Sequence, residues 1–434
     1  MVLTMTRFEP CHYFQQLSQG KKFMNKYTRL LVSVAISSAF SLSAQAGTAA
    51  ATAPAAAPAA AELPAALRVP PSIKSERQLA GTQLGPIHVT KVAEKLSHPW
   101  ALAFLPDGSF LVTERTGKLR RITAQGDVSE PIAGVPTVFV GGHGGLLDVA
   151  LAPDFKQSQT IFLSYAEGTD GEEPVGLTVG TAKLGENSLE DFKVFYRQEP
   201  KQAVAPYWEY GGRLLFDNKG HIFISHGDNH ANLAPQQLDK LAGKVVRLNL
   251  DGTVPKDNPF VGKPGARPEI WSYGHRNAEG IGFHPTTGQI WSTDQGPRGG
   301  DELNIVKPGK NYGWPIVSYG VDYTGQQTVE TTGPHRKGDG FEAPAYYWAK
   351  SPALSSLAFA TADNAWKGNL LLGSLADKQL IRIVLEGNKV VHEERLLSFL
   401  NQRVRDVKQG PDGNIYVLTD DPSGALYKIE PPKK

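Results

Sequence analysis

Cysteine is nearly missing: the 434 residues contain one, Cys11. It lies ahead of a cleavage-type motif, so the mature chain is expected to have neither a disulfide nor a lipid-attachment thiol, leaving stability to packing and bound metal. Neither charge dominates. Of 45 Lys/Arg and 43 Asp/Glu, five basic residues and one acidic residue precede position 47, which leaves 40 against 42. No basic stripe or nucleic-acid motif is present, and no nucleic-acid partner is expected. A P-loop and a G-x-S-x-G elbow are absent too. His226, Asp228, His230 and Asn232 alternate along one segment, but no second cluster with zinc spacing accompanies them. A hydrogen-bonded loop is the favoured reading there.

Long apolar runs are also lacking. The run at 30–42 has 13 residues, short of the roughly 20 that cross a bilayer as a helix. Lys21, Lys22, Lys26 and Arg29 precede it and Ala44-Gln45-Ala46 follows, the order found in a cleavable signal peptide. Residues 1–46 are therefore read as an export signal, with Met24 a second candidate start, periplasmic delivery and no membrane span in the mature chain. Residues 47–66 are almost entirely Ala and Pro with Thr, a composition that builds a semi-rigid tether rather than a core. The tether is taken to run to 83, and the fold to occupy 84–434.

From about Leu84 the chain is rich in short β-type runs separated by Gly, Pro, Asp and Asn. One phrase recurs: apolar strand, turn, second alternating strand. Copies begin at Ala101, Leu146, Gly211, Gly280, Ser356 and Val404, with turns such as Pro106-Asp107-Gly108 and Pro411-Asp412-Gly413. Six hairpin units predict an all-β, six-bladed β-propeller, which hides most strand edges and leaves a central channel. A pair of sandwiches is the rival architecture. The spacing between copies ranges from 45 to roughly 75 residues, so the middle blades carry long loops, where binding groups tend to sit.

The stretch 271–315, WSYGHRNAEGIGFHPTTGQIWSTDQGPRGGDELNIVKPGKNYGWP, falls among those loops. It brings together His275-Arg276-Asn277, Gln295-Gly296-Pro297, Asp301-Glu302 and Tyr312-Gly313-Trp314. Cations, hard oxygen ligands and aromatics in one segment suit a flat anionic ligand with a metal. Further pieces expected on the channel are GHGGLLD at 142–148, EYGGRL at 209–214, GVDY at 320–323 and RVRD at 403–406.

These segments, with TERTGKLRRI, GKVVRLNLDGTVPKDNPF and RVRDVKQGPDGNIYVLTD, resemble the soluble quinoprotein sugar dehydrogenases, in particular the periplasmic aldose sugar dehydrogenases. The resemblance runs from about Pro99 to Ile429. It implies a six-bladed propeller that binds pyrroloquinoline quinone (PQQ) and calcium. Such an enzyme oxidises the anomeric carbon of an aldose sugar to a lactone and passes electrons to an external acceptor. It implies cofactor contacts from His143, Arg276, Asn277, Tyr323, Leu375, Arg403 and Arg405. The carbonyl oxygens of Gly296 and Pro297 are matched to the calcium beside the quinone. Glu302 and Tyr312, with Asp322 as a further candidate, are matched to a second, structural calcium.

The residue types agree with such ligands. Arginine stays charged and binds carboxylates bidentately, as a tricarboxylate requires, and calcium takes hard oxygen ligands. Residues two apart on a strand face one side, so Arg403 and Arg405 are expected to share a face. Taken alone, the Arg pair also fits a solvated β face, and Asp301-Glu302 also fits carboxylates that cap loop amides.

Three positions depart from the family pattern. Where the family carries its base histidine, four residues before the arginine of G-G-R-L, this chain has Glu209. A carboxylate is a weaker base than imidazole unless its surroundings lift it. Where the family has glutamine, the chain has His143, which is a candidate base, a partner for Glu209, or a hydrogen-bonding replacement. Ala376 stands at the place of a cofactor-binding lysine, and Lys378, of the same strand parity, is a candidate substitute. The leading expectation is an exported quinoprotein dehydrogenase with Glu209 and His143 as catalytic candidates. The alternatives are a redox-inactive propeller that binds a carbohydrate or protein, and a calcium-dependent lactonase.

Overall fold

The computed structural model describes residues 76–77, 82–168, 174–231, 233–326 and 330–434. The expected signal peptide and the Ala/Pro-rich stretch at 47–66 lie outside the described residues. Within the stretch read as tether, Glu76–Arg77 forms a short strand parallel to Lys389–Leu396.

Each hairpin unit becomes the inner part of one sheet, because its alternating apolar residues have two faces to bury, one against each neighbouring unit. Blade one is Pro99–Phe104, Phe110–Glu114 and Lys118–Ile122. Blade two is Leu146–Leu151, Thr160–Glu167, Gly176–Leu184 and Leu189–Arg197. Blade three is Gly211–Phe216, His221–His226, Lys244–Asn249 and Ile270–Tyr273. Blade four is Gly280–Phe283, Ile290–Asp294, Asp301–Val306 and Tyr346–Trp348. Blade five is Leu354–Phe359, Leu370–Ser374, Gln379–Glu386 and Lys389–Leu396, and blade six begins with Val404–Gln409, Ile415–Thr419 and Gly424–Glu430. His88–Leu96 then pairs antiparallel with Gly424–Glu430, so a strand from early in the chain completes the last blade and closes the ring.

The first strands of the six blades touch one another in a closed circle. Apolar clusters fill the seams: one runs through blades one to three, and others join blades three and four, four and five, five and six, and six and one. Buried hydroxyls pin successive blades. Thr113 donates to the Leu147 carbonyl (2.5 Å), Ser164 to Gly212 (2.6 Å), Ser225 to Ala278 (2.7 Å) and Thr293 to Ser355 (2.6 Å). Blade five has Gly373 at the matching position. A Cβ there would stand 2.2 Å from Ser355 Oγ, and that hydroxyl makes the pin instead, donating to the Val404 carbonyl (2.8 Å).

Register shifts position the channel side chains. Five of the first strands slip against their neighbours near their starts, at Pro99/Ala101, Leu146/Val149, Gly211/Leu214, Leu354/Leu357 and Val404/Asp406. An extra residue at such a point bends the strand and re-aims its side chain. Trp100, Asp148, Arg213 and Arg405 all sit at these shifts. Arg213 lies over the Trp100 ring (4.1 Å), pairs with Asp406 (3.1 Å) and Asp148 (3.5 Å), and donates to the Glu279 carbonyl (2.7 Å). A buried, neutralised network thus crosses the ring.

Candidate active site

Glu209 lies just before the first strand of blade three, with its backbone in the left-handed region (φ 51°). Gly227 allows the facing loop to approach, since a Cβ there would stand 2.0 Å from the Glu209 carbonyl oxygen. Arg276, on the loop between blades three and four, reaches the buried carboxylate: Nη2 donates to Oε1 at 2.8 Å. Its Nη1 donates to the carbonyls of Gln295 and Gly296 (both 3.1 Å). Asp294, at the end of the second strand of blade four, holds this loop by accepting from the backbone N–H of Arg276 (3.1 Å) and Asn277 (2.6 Å). The His275 ring packs 4.6 Å from the Tyr312 ring, with Nδ1 3.2 Å from Asp294. Asn277 is fully used: Oδ1 accepts from Gly211 N–H (3.0 Å), and Nδ2 donates to Glu279 (3.1 Å) and Gln295 (3.2 Å).

Burial lifts Glu209 to about 7, with Asp228 and Glu279 pushing the same way and Arg276 opposing them. Arg276 is held above its ordinary range by Glu209, Asp228 and Asp294, which outweigh its own desolvation. His143 does not pair with the carboxylate. Its Nδ1 accepts the Glu209 backbone N–H at 3.2 Å, and desolvation by the surrounding channel walls, with Arg405, Arg276 and Arg115 nearby, holds the imidazole below its ordinary range against the pull of Glu279. The residue as a whole is nonetheless exposed.

Arg115, Arg403, Arg405 and His143 line a cavity of about 290 Å³ together with Glu279 and Asp420. Arg405 is already neutralised there, by Glu279 and by Asp420 (2.5 Å). Arg403 makes no side-chain hydrogen bond among the described residues, and Arg115 donates to the Gly142 carbonyl (2.9 Å). Desolvation depresses both of these guanidiniums, and the proximity of Arg405 adds to it. Unpaired positive charge therefore concentrates on one side of the channel.

Opposite chemistry occupies a cavity of about 20 Å³ lined in part by Gly274, Gly296, Glu302, Tyr312 and Ser318. The largely enclosed Glu302 is lifted to about 8 by burial and by Asp294 and Asp301. It accepts from Asn304 Nδ2 (3.1 Å), and its nearest basic group is His335 (3.8 Å). Tyr312 spends its hydroxyl on the Ile305 carbonyl (2.6 Å), so its backbone carbonyl is the oxygen it has to offer. Asp301 behaves differently from its neighbour, accepting from Gly296 N–H (3.0 Å) and Leu354 N–H (2.8 Å) as a cap of loop amides. Among the described residues no three His, Cys, Asp or Glu cluster as metal ligands. A cation here would depend on one carboxylate and several carbonyls, a donor set that fits a hard ion such as calcium.

The model of the family described as glucose/sorbosone dehydrogenase matches residues 96–428. The chain belongs to that family. It is 47% identical over 351 residues to the aldose sugar dehydrogenase YliI of Escherichia coli, covering 80% of this chain and 93% of that protein. The crystal structure of the E. coli soluble aldose sugar dehydrogenase in its apo form superposes with a TM-score of 0.76 at 46% identity, over 80% of this chain and 99% of that one. The PQQ-bound aldose sugar dehydrogenase of Streptomyces coelicolor superposes with a TM-score of 0.65 at 26% identity, over 79% and 98%. The protein is thus an oxidoreductase of the sugar dehydrogenase type, built as a six-bladed propeller.

Within this family fold, the remaining expected residues fall in different places. Tyr323 is exposed on the rim, its ring 6.3 Å from that of Trp208. Leu375 is buried, with its N–H on the Ala353 carbonyl (2.9 Å). The parity argument for Lys378 fails: the strand ends at Ser374, the next begins at Gln379, and Lys378 sits in the turn between them (φ 55°) with Nζ on Asn401 (3.1 Å). Asp322 caps Thr324 N–H (2.8 Å) and does not line the Glu302 cavity.

Sequence reasoning missed Arg115, Glu279 and Asp420, and read His230 only as part of a hydrogen-bonded loop. The repeat register held a signal for two of these. Arg115, Leu375 and Asp420 each follow directly after the second strand of their blade, so aligning the hairpin copies places all three at one end of the channel.

Proposed function

We propose that this enzyme oxidises the anomeric carbon of an aldose to the lactone, with PQQ as hydride acceptor, calcium beside it and an external electron acceptor, after export to the periplasm. The observation that carries this reading is the pair of cavities of opposite character, one with the guanidiniums of Arg115 and Arg403 beside a neutral His143, the other with carbonyls and a carboxylate at Gly296 and Glu302. The residues fit the cofactor: crowded guanidiniums, of which Arg403 makes no side-chain hydrogen bond among the described residues and Arg115 meets only a carbonyl, suit a tricarboxylate. The names of the E. coli and Streptomyces relatives support it as well.

Arg403 and Arg115 would hold carboxylates of the cofactor, with Arg405 behind them. Arg276, steadied by Asn277, would lie against it between Glu209 and Gly296. Gly296 and Pro297 would offer carbonyl oxygens to the calcium beside the quinone, and Glu302 with the Tyr312 carbonyl would hold a second ion. When bound, PQQ would supply the hydride acceptor for the sugar C1, and calcium the Lewis acid beside it. Leu375 would give the cofactor an apolar contact, while Tyr323 and Trp208 would form an aromatic rim for the C–H faces of the sugar.

The proton of the C1 hydroxyl goes to the Glu209 centre, whose affinity near 7 is matched to neutral operation. His143 holds the Glu209 backbone and stays neutral, which gives it a positioning role beside that carboxylate. In a test with calcium, PQQ, glucose and an artificial acceptor, sugar-dependent dye reduction is expected. Hydrolysis of lactone without any cofactor, or no dye reduction with any aldose by protein that binds PQQ, would overturn the reading.

A further inference from the structure

Glu209 has one oxygen on Arg276; the other, Oε2, is buried and makes no hydrogen bond. Closed from solvent, Oε2 neither meets water nor presents itself to a sugar hydroxyl. The titratable group beside it is His230, whose Nδ1 lies 3.8 Å from Oε2. The two side chains contrast sharply in exposure, 52% for His230 against 2% for Glu209. The His230 ring is thus half open to solvent, and its Nε2 is not among the buried atoms left without a hydrogen bond. The loop is fixed in this pose: His230 has a left-handed backbone (φ 56°), its N–H donates to Asp228 Oδ1 (2.8 Å), and its ring packs edge-on to Trp208 at 5.6 Å. Trp314 Nε1 in turn donates to Asp228 Oδ2 (2.7 Å).

We propose that His230 is the catalytic residue that meets the substrate hydroxyl, and that it acts as a pair with Glu209. Nε2 takes the C1 hydroxyl proton as the C–H bond gives up its hydride and the C1–O bond becomes a carbonyl. The Nδ1 proton passes to Glu209 Oε2, so the imidazole ends neutral and the carboxylate ends protonated. Imidazole backed by a buried carboxylate is an established arrangement for general-base work, and it restores to this site the histidine that position 209 lacks. The assignment rests on the dehydrogenase reading for its substrate, but the pairing itself does not.

The groups facing His230 are Glu209, Asp228 and, across the rim, Asp322; those facing Glu209 are Arg276, Asp228 and Glu279. The first test uses protein without cofactor or calcium. The His230 ring-nitrogen resonances, followed by NMR at about pH 8, above the Glu209 value near 7, are expected to move in Glu209→Gln, because a carboxylate beside Nδ1 favours the tautomer protonated there. Unchanged ring-nitrogen resonances would overturn the pairing. The second test compares PQQ- and calcium-loaded wild type with His230→Asn, a substitution that tolerates the left-handed backbone. A loss of kcat of about 100-fold or more, little change in KM, and disappearance of the kcat inflection near neutrality are expected. If His230→Asn retains more than half of wild-type kcat, the assignment fails while the dehydrogenase reading stands. A loaded wild type that oxidises no sugar would instead sink that reading, and the NMR shift would still decide the pairing.

Discussion

The two walls of the channel handle charge in opposite ways. Around Arg276 the charges on the loop itself are matched, the guanidinium by Glu209 and two carbonyls and Asp294 by three donors, while Glu302 in the same cavity has no cation closer than His335. Around Arg403 charge is in excess, with neighbouring guanidiniums crowding a cavity of about 290 Å³. A satisfied network is part of the fold, whereas an unsatisfied one is held in place by the fold for something else. Substitutions of matched charges should register as lost stability, and those of unmatched ones as lost affinity.

The largest effect is expected at Arg276→Leu, which strands a buried carboxylate and should cost about 3–5 kcal/mol, read from urea unfolding. Asp420→Asn comes next, with about 2 kcal/mol lost at neutral pH from its charged hydrogen bonds to Arg405. Arg405 holds the Asp420 carboxyl below the ordinary range despite burial. Its contribution is therefore present above the usual carboxylate pKa and disappears as pH falls through the depressed value. The difference between wild type and Asp420→Asn should narrow steadily in acid.

Glu209 runs the other way. Its folded value near 7 lies above the ordinary glutamate range, so the folded state binds the extra proton and stability declines as pH rises from the ordinary glutamate value towards 7. Glu209→Gln should flatten that decline in unfolding curves. Arg403→Ala is expected to leave stability within about 0.5 kcal/mol while weakening PQQ binding by about 1.5–3 kcal/mol, a loss of ten- to a hundredfold or more by calorimetry. Smallest of all, Lys378→Ala should change PQQ affinity less than about twofold, because its ammonium is engaged by Asn401 in a turn.

The contrast between walls also separates what was legible in the sequence from what was not. Six hairpins with strict alternation and Pro-Asp-Gly turns are local signals, and they gave six blades. His88–Leu96 escaped because half of an outer strand faces solvent and its alternation is weak, and because its partner is more than 300 residues away in the chain. Arg276, Glu302 and Arg403 were found through motif resemblance. Arg115, Asp420 and His230 were not, since register shifts and ring closure, both non-local, decide which loop residues meet over the channel. Lys378 shows the same limit in reverse: strand parity means nothing once the chain has entered a turn.

The central claim is that the crowded guanidiniums exist for an anionic cofactor held against calcium. Calorimetric titration of calcium-loaded wild type and Arg403→Ala with PQQ tests it most directly. The account predicts saturable binding of one PQQ per chain, at least tenfold weaker in the variant, with both proteins unfolding alike. Absence of any binding by folded wild type, or equal affinity in the two proteins, would contradict it.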